Sequence, residues 1–556
     1  MSPSSDEPHQ ALGWKDHWKA MIAMAVVSLG AFQYGIDFGI IGGLQAMVPF
    51  LQVFGVEDPS TPLGYNIPPD RQQLIASLMV LGAFISSSSA GFTAKWVGRK
   101  LSLWIAAVAV FASTALMQTS TDIGGLYAGR VIIGLANGLL MTHSQLYVAN
   151  AFKPPFSRAD RASIVDIYLD FHYYKADTVV KHIQESLPSR YRGLGISFVT
   201  YCTSFGSLIG TIVDNFGAKL PDRRAYVIPL GIVHIVPGLM SIGLFFVPES
   251  PRWLAARGDL VKAATALRWL RPAAWPVDRE LADMQAALDA EASLGSGLGY
   301  ASLFKTPVDR RRTIIAVSAL TSQAASGAIF ILSYGTYFFE MAHVGNAFEN
   351  TCILVGVGAA ALLATSLLIT KFGRRRRMMI AGFALCGAAQ LAIAIVYTVR
   401  PNAQSSGRAL VGLSVVYLFA YNSLIAPYAW LCGGELSSQR LRSHTFGLAT
   451  GLGFFSAWLT TFTAPYFINP DSLNWGPKYG YIWTGACFVT AFWVYFYLPE
   501  VKDRSLEEID EMFEARVPAR KFAKYRCTGA HVSGEKPLPE DVDEEADGGA
   551  EKGAKE

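Results

Sequence analysis

The chain has 556 residues, of which 51% are hydrophobic and 16% are charged. A soluble domain of average composition is about 25% charged, so this deficit indicates a chain whose main solvent is lipid. The net charge of +4 is too small to argue for nucleic-acid binding, and the six cysteines, scattered without a CxxC pair, are predicted to be reduced, packed thiols.

The polar start of the chain has no basic segment running into a short apolar core, so no cleaved signal peptide is predicted. Residues 1–19 are therefore predicted to precede a first apolar run that itself anchors the chain. A helix needs about 20 apolar residues to cross a bilayer. Twelve stretches meet this requirement, near residues 20–48, 72–94, 101–119, 125–147, 194–214, 226–247, 313–340, 348–370, 378–398, 408–433, 444–468 and 480–499.

These spans form two groups of six, at residues 20–249 and 313–499, with a polar linker at 250–312 between them. The predicted fold is an all-α membrane protein of two six-helix bundles. Within the linker, residues 259–270 and 278–288 are predicted to be amphipathic helices that pack under the bundles.

The last part of the chain, residues 500–556, is predicted to be a cytoplasmic tail. From about residue 514 onward its composition is polar and ends in an acidic run, which is typical of a disordered segment.

Basic residues cluster in the loops after spans two, eight and ten. They are Lys95, Arg99 and Lys100 after span two, Lys371 and residues 374–377 after span eight, and Arg440 and Arg442 after span ten. The positive-inside tendency places these loops, the linker and both termini in the cytoplasm. We predict the plasma membrane as the location, with the vacuolar membrane as the alternative.

The two halves also carry matching motifs. Gly98-Arg99-Lys100 follows the second span, and Gly373-Arg374-Arg375 follows the second span of the second half. Such repeated halves are how many secondary transporters build a central site that opens alternately to each side.

Further motifs occur in a fixed order relative to the spans. They are Gly129-Arg130 with Gly134 and Gly138; Glu185, Pro188, Arg192 and Gly193; residues 248–254 (PESPRWL); Pro427, Trp430, Glu435 and Arg442; and residues 499–502 (PEVK) followed by 506–509 (LEEI). In this order they resemble the motifs of the sugar porters of the major facilitator superfamily, especially fungal hexose transporters. The resemblance implies a monomeric membrane carrier with no cofactor and no metal.

Charged residues at the ends of spans on the side of the basic loops are predicted to form a cytoplasmic gate network. Charge-assisted hydrogen bonds between bundles would hold one conformation closed and break for the other. The candidates are Glu185, Arg192, Glu249, Arg252, Glu435, Arg442, Arg99 and Arg374. For residues 374–377 the alternative is a solvated basic loop that only fixes topology. Lys95 and Thr370 stand where the family usually has an acid, so one acidic partner is missing in each half.

Span one carries an ionisable residue, Asp37, inside an apolar run. Such a residue is costly in a membrane and usually faces a cavity or a partner. The resemblance implies that Asp37 carries a proton and interacts with Arg130 of span four. The alternative is a fixed ion pair in a passive carrier.

For the substrate, the resemblance carries over Gln323 and Trp430, with Phe454, Thr200 and Tyr334 as predicted neighbours. Several amide positions of the family are changed here, because Ala324, Ile329, Gly358 and Gly453 stand where the family has glutamine or asparagine. Losing a partner of a buried hydroxyl costs about 1–3 kcal/mol. The pocket is therefore predicted to be less polar than a glucose site.

Residues 148–182 interrupt a loop that is short in the family and show no clear helical period. Deleting them would place Tyr147 close to Glu185 with nearly the family spacing. Two origins remain open, a retained intron translated in frame or a genuine inserted loop.

These features predict a secondary active transporter that moves a sugar or sugar-like solute by alternating access, as a proton symporter. The alternatives are a facilitative carrier, a transporter of a polyol or organic acid, and a nutrient sensor that does not transport. The sequence has no nucleotide loop, metal cluster or nucleophile triad, so no enzymatic activity is predicted. The expected partners are the solute, protons and the lipid bilayer, but no nucleic acid.

Overall fold

The computed structural model describes residues 18–527, apart from 60, 62, 152–191, 274, 296–299, 342–344, 373, 402, 439, 440, 503 and 505. The described segments contain twelve membrane spans, in agreement with the predicted fold class. In the first half they are Trp18–Leu44, Pro69–Trp96, Arg99–Thr119, Ile123–Ala151, Arg192–Gly217, and Arg224–Ile232 with Ile235–Phe246. In the second half they are Pro307–Ala325 with Ala328–Met341, Ala347–Phe372, Arg375–Val399, Gln404–Glu435, Arg442–Ile468 and Gly480–Tyr497. By length and apolar composition alone, eight of the described segments qualify as membrane-crossing helices.

Several spans are broken at positions that the chemistry explains. Span seven breaks at Gly327, which has φ +83° and where a Cβ would come within 2.6 Å of the Trp483 ring. A side chain there would meet both a backbone penalty and a clash, so glycine is required. Span six breaks after Ile232, between Pro229 and Pro237, because proline removes a backbone donor. Span ten contains a π-helical turn at Tyr421–Ile425.

Small residues let spans one and five pack backbone to backbone. A Cβ on Gly35 would lie 2.0 Å from the Thr203 carbonyl oxygen, and one on Gly39 would lie 2.4 Å from that of Ser207. Gly206 and Gly210 give span five the same property toward span one. Close packing of this kind replaces the hydrophobic effect, which does not drive helix association in lipid.

The linker forms its own small core. Its helices are Pro251–Ala256, Leu260–Leu270 and Val277–Gly295, which overlap the two predicted amphipathic stretches. Arg271 pairs with Glu280 at 2.7 Å in a buried ion pair. The Asp259 carboxylate caps the second helix by accepting a hydrogen bond from the backbone N–H of Lys262. A further hydrogen bond from the Lys262 side chain lowers the pKa of Asp259.

The chain after span twelve remains packed further than its composition predicts. A helix at Leu506–Glu514 is followed by turns up to Cys527, and Phe522 is fully buried against Phe513. The predicted onset of disorder near residue 514 is therefore too early. The reason is that aromatic residues interrupt the polar composition and pack under the second bundle. The acidic run lies outside the described residues.

Between spans one and two, the chain forms a helix at Val48–Phe54 and a two-stranded antiparallel hairpin of Val56–Glu57 and Tyr65–Asn66. The end of the molecule that carries the loops after spans two, eight and ten is called the basic end. The hairpin lies at the other end, which is called the opposite end.

Candidate solute cavity and charge networks

A cavity of about 230 Å³ lies between the two bundles. Spans one, four and five line it from the first bundle, and spans seven, eight, ten and eleven line it from the second. Four of the five predicted substrate residues face it, namely Gln323, Trp430, Phe454 and Thr200. The sequence therefore locates the cavity, although contact with a solute stays a prediction.

Tyr334 is the exception. Its side chain is fully buried, and its hydroxyl donates to the Thr461 carbonyl at 2.7 Å. Tyr334 does not line the cavity but packs inside the second bundle. The break at Gly327 changes which residues of span seven face the cavity, and after the break these are Ile329 and Leu332.

A row of hydroxyls on span five provides the polar surface of the first bundle. Thr200, Thr203, Ser204 and Ser207 all line the cavity. Their spacing of i, i+3, i+4 and i+7 puts them on one helical face. The spacing of these hydroxyls is visible in the sequence. The row supplies polar groups that the prediction of a less polar pocket did not take into account.

The π-helical turn of span ten places two further polar residues at the cavity, Tyr421 and Asn422. The Tyr421 hydroxyl lies 3.3 Å from Oε1 of Gln323. A Cβ on Gly358 would lie 2.6 Å from Nδ2 of Asn422, so the Asn422 amide fills the space that a longer residue at 358 would need. The amide that span eight lacks is thus supplied by span ten. An irregular turn of this kind is frequent at functional sites.

Asp37 and Arg130 form a buried ion pair, with 3.0 Å between Oδ1 and Nη1 and exposures of 2% and 1%. The other carboxylate oxygen accepts from Nδ2 of Asn137 at 3.0 Å. Arg130 Nε donates to the Ile75 carbonyl at 2.9 Å, which ties the pair to span two. Both charges are therefore compensated, as burial in a low-dielectric medium requires.

A second buried carboxyl, Asp214 of span five, was not predicted. It is 2% exposed and packs against Gly43 of span one, where a Cβ would lie 2.1 Å from Oδ2. Cys352 of span eight lies within its electrostatic reach. No basic side chain pairs with Asp214 in the described part of the chain. Asp214 is the last residue of the predicted span five, at 194–214. The sequence therefore does not distinguish a buried position in the span from an exposed position in the following loop.

At the basic end, each bundle contains a glutamate carboxylate that accepts hydrogen bonds from the first backbone N–H groups of a helix. Glu249 accepts from the backbone N–H groups of Arg99 and Lys100 at 3.1–3.2 Å. Glu500 accepts in the same way from Arg375 and Arg376 at 3.1 Å. Free N–H groups at a helix N-terminus bind anions well, so these two contacts repeat one motif in both halves. The sequence motif around Glu500 resembles the C-terminal motif of the family, and its spacing alone does not indicate this contact.

The predicted gate residues are only partly brought together. Glu435, fully buried, pairs with Arg375 at 2.9 Å rather than with Arg374, which is exposed. Span nine begins at Arg375, so Arg374 lies just before the helix, and its place in the gate network stays a prediction. The guanidinium groups of Arg99 and Arg252 lie within electrostatic reach of each other.

Three predicted gate residues fall on parts of the chain that the structure does not describe. Glu185 lies outside the described residues, as do the side chains of Arg192 and Arg442. The bonds described here at Glu249, Glu435 and Glu500 join helices of the same bundle, and links between the bundles stay a prediction.

The opposite end carries a hydrogen-bond network between the bundles, centred on Asn66 and Asn469. Asn66 Nδ2 donates to Asn469 Oδ1 at 3.2 Å and to Asp471 Oδ2 at 2.8 Å. Asn469 Nδ2 donates to the Ile67 carbonyl at 2.7 Å and to Gln72 Oε1 at 3.0 Å. The Tyr337 hydroxyl donates to Asn66 Oδ1 at 3.0 Å. We call these contacts the amide hub.

Two six-helix bundles around a shared central cavity, with a buried acid–arginine pair in the first bundle, define a multi-pass membrane carrier of the major facilitator fold. The chain belongs to the sugar (and other) transporter family, whose model matches residues 23–154 and 176–513. The family consists of transporters, not enzymes. Residues 155–175, which the match leaves out, lie within the predicted insert at 148–182, most of which is outside the described residues.

Individual proteins agree with this assignment. The chain is 27% identical to the major facilitator-type transporter ecdD of Aspergillus rugulosus, over 93% of this chain and 92% of the relative. It is also 27% identical to the "Probable glucose transporter rco-3" of Neurospora crassa, over 91% and 82%. Among solved structures, the proton:xylose symporter XylE bound to 6-bromo-6-deoxy-D-glucose has the same fold, with a TM-score of 0.65 and 20% identity over 89% of this chain and 99% of that chain.

Proposed function

We propose that this protein is a secondary transporter that moves a sugar or sugar-like solute across the membrane by alternating access. The observation that carries the proposal is the cavity between the bundles. Span five offers a row of hydroxyls, while Gln323 and Asn422 offer amides from the facing bundle. Trp430 and Phe454 add aromatic faces suited to the C–H surface of a sugar ring.

The basic end is proposed to face the cytoplasm, with both termini on that side and the protein in the plasma membrane. At the opposite end, hydrogen bonds join the two bundles at the amide hub and at Cys352, whose thiol donates to the Thr211 carbonyl at 3.3 Å. This conformation is therefore proposed to be closed to the outside.

Proton coupling is proposed to run through Asp37. The carboxylate is buried, it is bonded to Arg130, and Tyr34 of the cavity lies one turn away on the same helix. A proton on Asp37 would weaken its attraction to Arg130 and so link protonation to movement of span four. The similarity to a proton:xylose symporter supports this proposal.

Uptake in a yeast that lacks hexose carriers tests the proposal. Labelled hexoses, disaccharides, polyols and organic acids would be offered with and without a protonophore. We expect accumulation of a sugar or polyol that the protonophore abolishes. Uptake of organic acids alone would contradict the sugar assignment, and uptake insensitive to the protonophore would contradict symport.

Replacing Asn422 by leucine is expected to weaken transport of that solute. Because a lost hydrogen bond to a buried hydroxyl costs about 1–3 kcal/mol, KM should rise about tenfold or more. Thr490→Val is the matched control, since its hydroxyl bonds only its own helix, to the Ala486 carbonyl at 2.7 Å. An unchanged KM in Asn422→Leu would exclude this amide from the solute site.

A further inference from the structure

A second cavity, of about 310 Å³, lies at the basic end, away from the solute cavity. The start of span seven, the end of span twelve and the C-terminal segment enclose it. Its lining combines arginines with aromatic residues, chiefly Arg310, Arg311, Trp493, Phe496 and Tyr497. The proposed transport mechanism uses none of these residues.

Among the described residues, the positive charges at this cavity have no acidic partner. Arg310 is exposed, and Arg311 donates to the Val517 carbonyl at 2.9 Å. Arg520, next to the cavity-lining Ala519, places its guanidinium 4.2 Å from the ring centre of Phe496. None of these three arginines forms an ion pair among the residues that the structure describes. Arg310 and Arg311 are adjacent in the chain and both line the cavity, so an anion bound there would neutralise a local excess of positive charge.

The position of the cavity at the membrane surface indicates which class of anion it would bind. Ile314, which lines it, is 50% exposed, and Tyr497 at the end of span twelve is 59% exposed. Aromatic residues at the ends of spans lie at the level of lipid headgroups. The cavity thus opens toward lipid, with an aliphatic side toward the membrane and arginines toward the water.

We propose that this cavity binds the phosphate of an anionic phospholipid. Guanidinium groups form strong, directional hydrogen bonds to phosphate oxygens. Basic pockets between spans on the cytoplasmic side are suited to anionic headgroups. A bound lipid would also join span seven to span twelve and the C-terminal segment, so it is expected to stabilise the second bundle.

Two other anions fit the charges less well. Free inorganic phosphate would leave the aliphatic and aromatic side of the cavity without a partner. The acidic run of this chain, beyond residue 539, carries six carboxylates between residues 540 and 547, but its only apolar side chains there are those of Val542 and Ala546, which are too small to cover both Ile314 and Trp493.

Thermal unfolding of the full chain in nanodiscs tests the proposal. The discs would contain phosphatidylcholine alone or phosphatidylcholine mixed with phosphatidic acid, and native mass spectrometry would measure retained lipid. We expect phosphatidic acid to raise the Tm and to stay bound. The double variant Arg310→Gln, Arg520→Gln should lose the shift, with roughly a fivefold loss of affinity for each arginine removed.

The control is Arg400→Gln, Arg408→Gln, which removes the same charge from exposed sites at the opposite end of the same bundle. This variant should keep the shift. If the double variant at the cavity does not fold, Arg310→Gln and Arg310→Lys are compared, and only the lysine variant should retain phosphatidic acid.

Three results would overturn the proposal. One is an undiminished shift in the cavity variant. Another is an equal shift with inorganic phosphate in detergent, which would indicate a soluble-anion site. The third is a shift that appears only after residues 528–556 are removed, which would mean that the tail occupies the cavity. Because these measurements read lipid binding rather than transport, they do not depend on the proposed solute or on proton coupling.

Discussion

Asp37→Asn is expected to abolish concentrative uptake while leaving exchange of the solute across the membrane. Asparagine matches the shape of aspartate and can still contact Asn137, but it cannot bind and release a proton at neutral pH. Uptake against a gradient and counterflow, measured in the same vesicles, separate the two activities. An Asp37→Asn carrier that still accumulates solute would refute coupling through this residue.

The same variant should also lose stability, because it leaves Arg130 buried without a negative partner. Removing one member of a buried ion pair costs about 3–5 kcal/mol. Arg130→Gln should cost a similar amount, and the double variant should cost less than the sum because it leaves no unpaired charge. Thermal unfolding of the purified variants measures this. Additive losses would mean that the 3.0 Å contact contributes no coupling energy.

The second large effect is expected at Gly134, where span four crosses span two. A Cβ there would lie 2.3 Å from the Met79 carbonyl oxygen, which is backbone and cannot rotate away. Gly134→Ala must therefore push the two helices apart. Overpacking of this kind costs about 1–3 kcal/mol. The displacement would also stretch the bond from Arg130 to Ile75 one turn away, so transport should fall together with the Tm.

Gly412→Ala provides the control for this prediction. Gly412 is also a glycine within a span, but a Cβ there meets nothing within 4 Å. Its Tm should be unchanged or slightly higher, because alanine is the better helix former. Equal losses in the two variants would show that helix propensity, not the crossing, requires glycine at 134.

The sequence was sufficient for the features that depend on local pattern. Apolar length predicted twelve spans. The contact between Asp37 and Arg130 was implied by the family resemblance, not by local pattern, and the fold brings the two side chains within 3.0 Å. The hydroxyl row of span five also follows from its helical spacing, so it lies within what the sequence can predict.

Other features depend on where a helix starts or turns. Span nine begins at Arg375, and this residue, which was not among the predicted gate residues, forms the ion pair with Glu435. The π-helical turn that directs Asn422 toward Gly358 inserts a residue into the helical period, and no periodicity reveals it. Asn66 and Asn469 are 403 residues apart, so only the folded chain shows that they meet.

The amide hub has a consequence for how the carrier responds to its surroundings. Of its five hydrogen bonds between the bundles, only the one to Asp471 ends on a carboxylate, and the others join amides, a phenol and a backbone carbonyl. Neutral groups of this kind do not titrate at physiological pH and are little screened by salt. If the protein has the proposed orientation and proton coupling, acid outside the cell would supply the driving proton without breaking these hydrogen bonds.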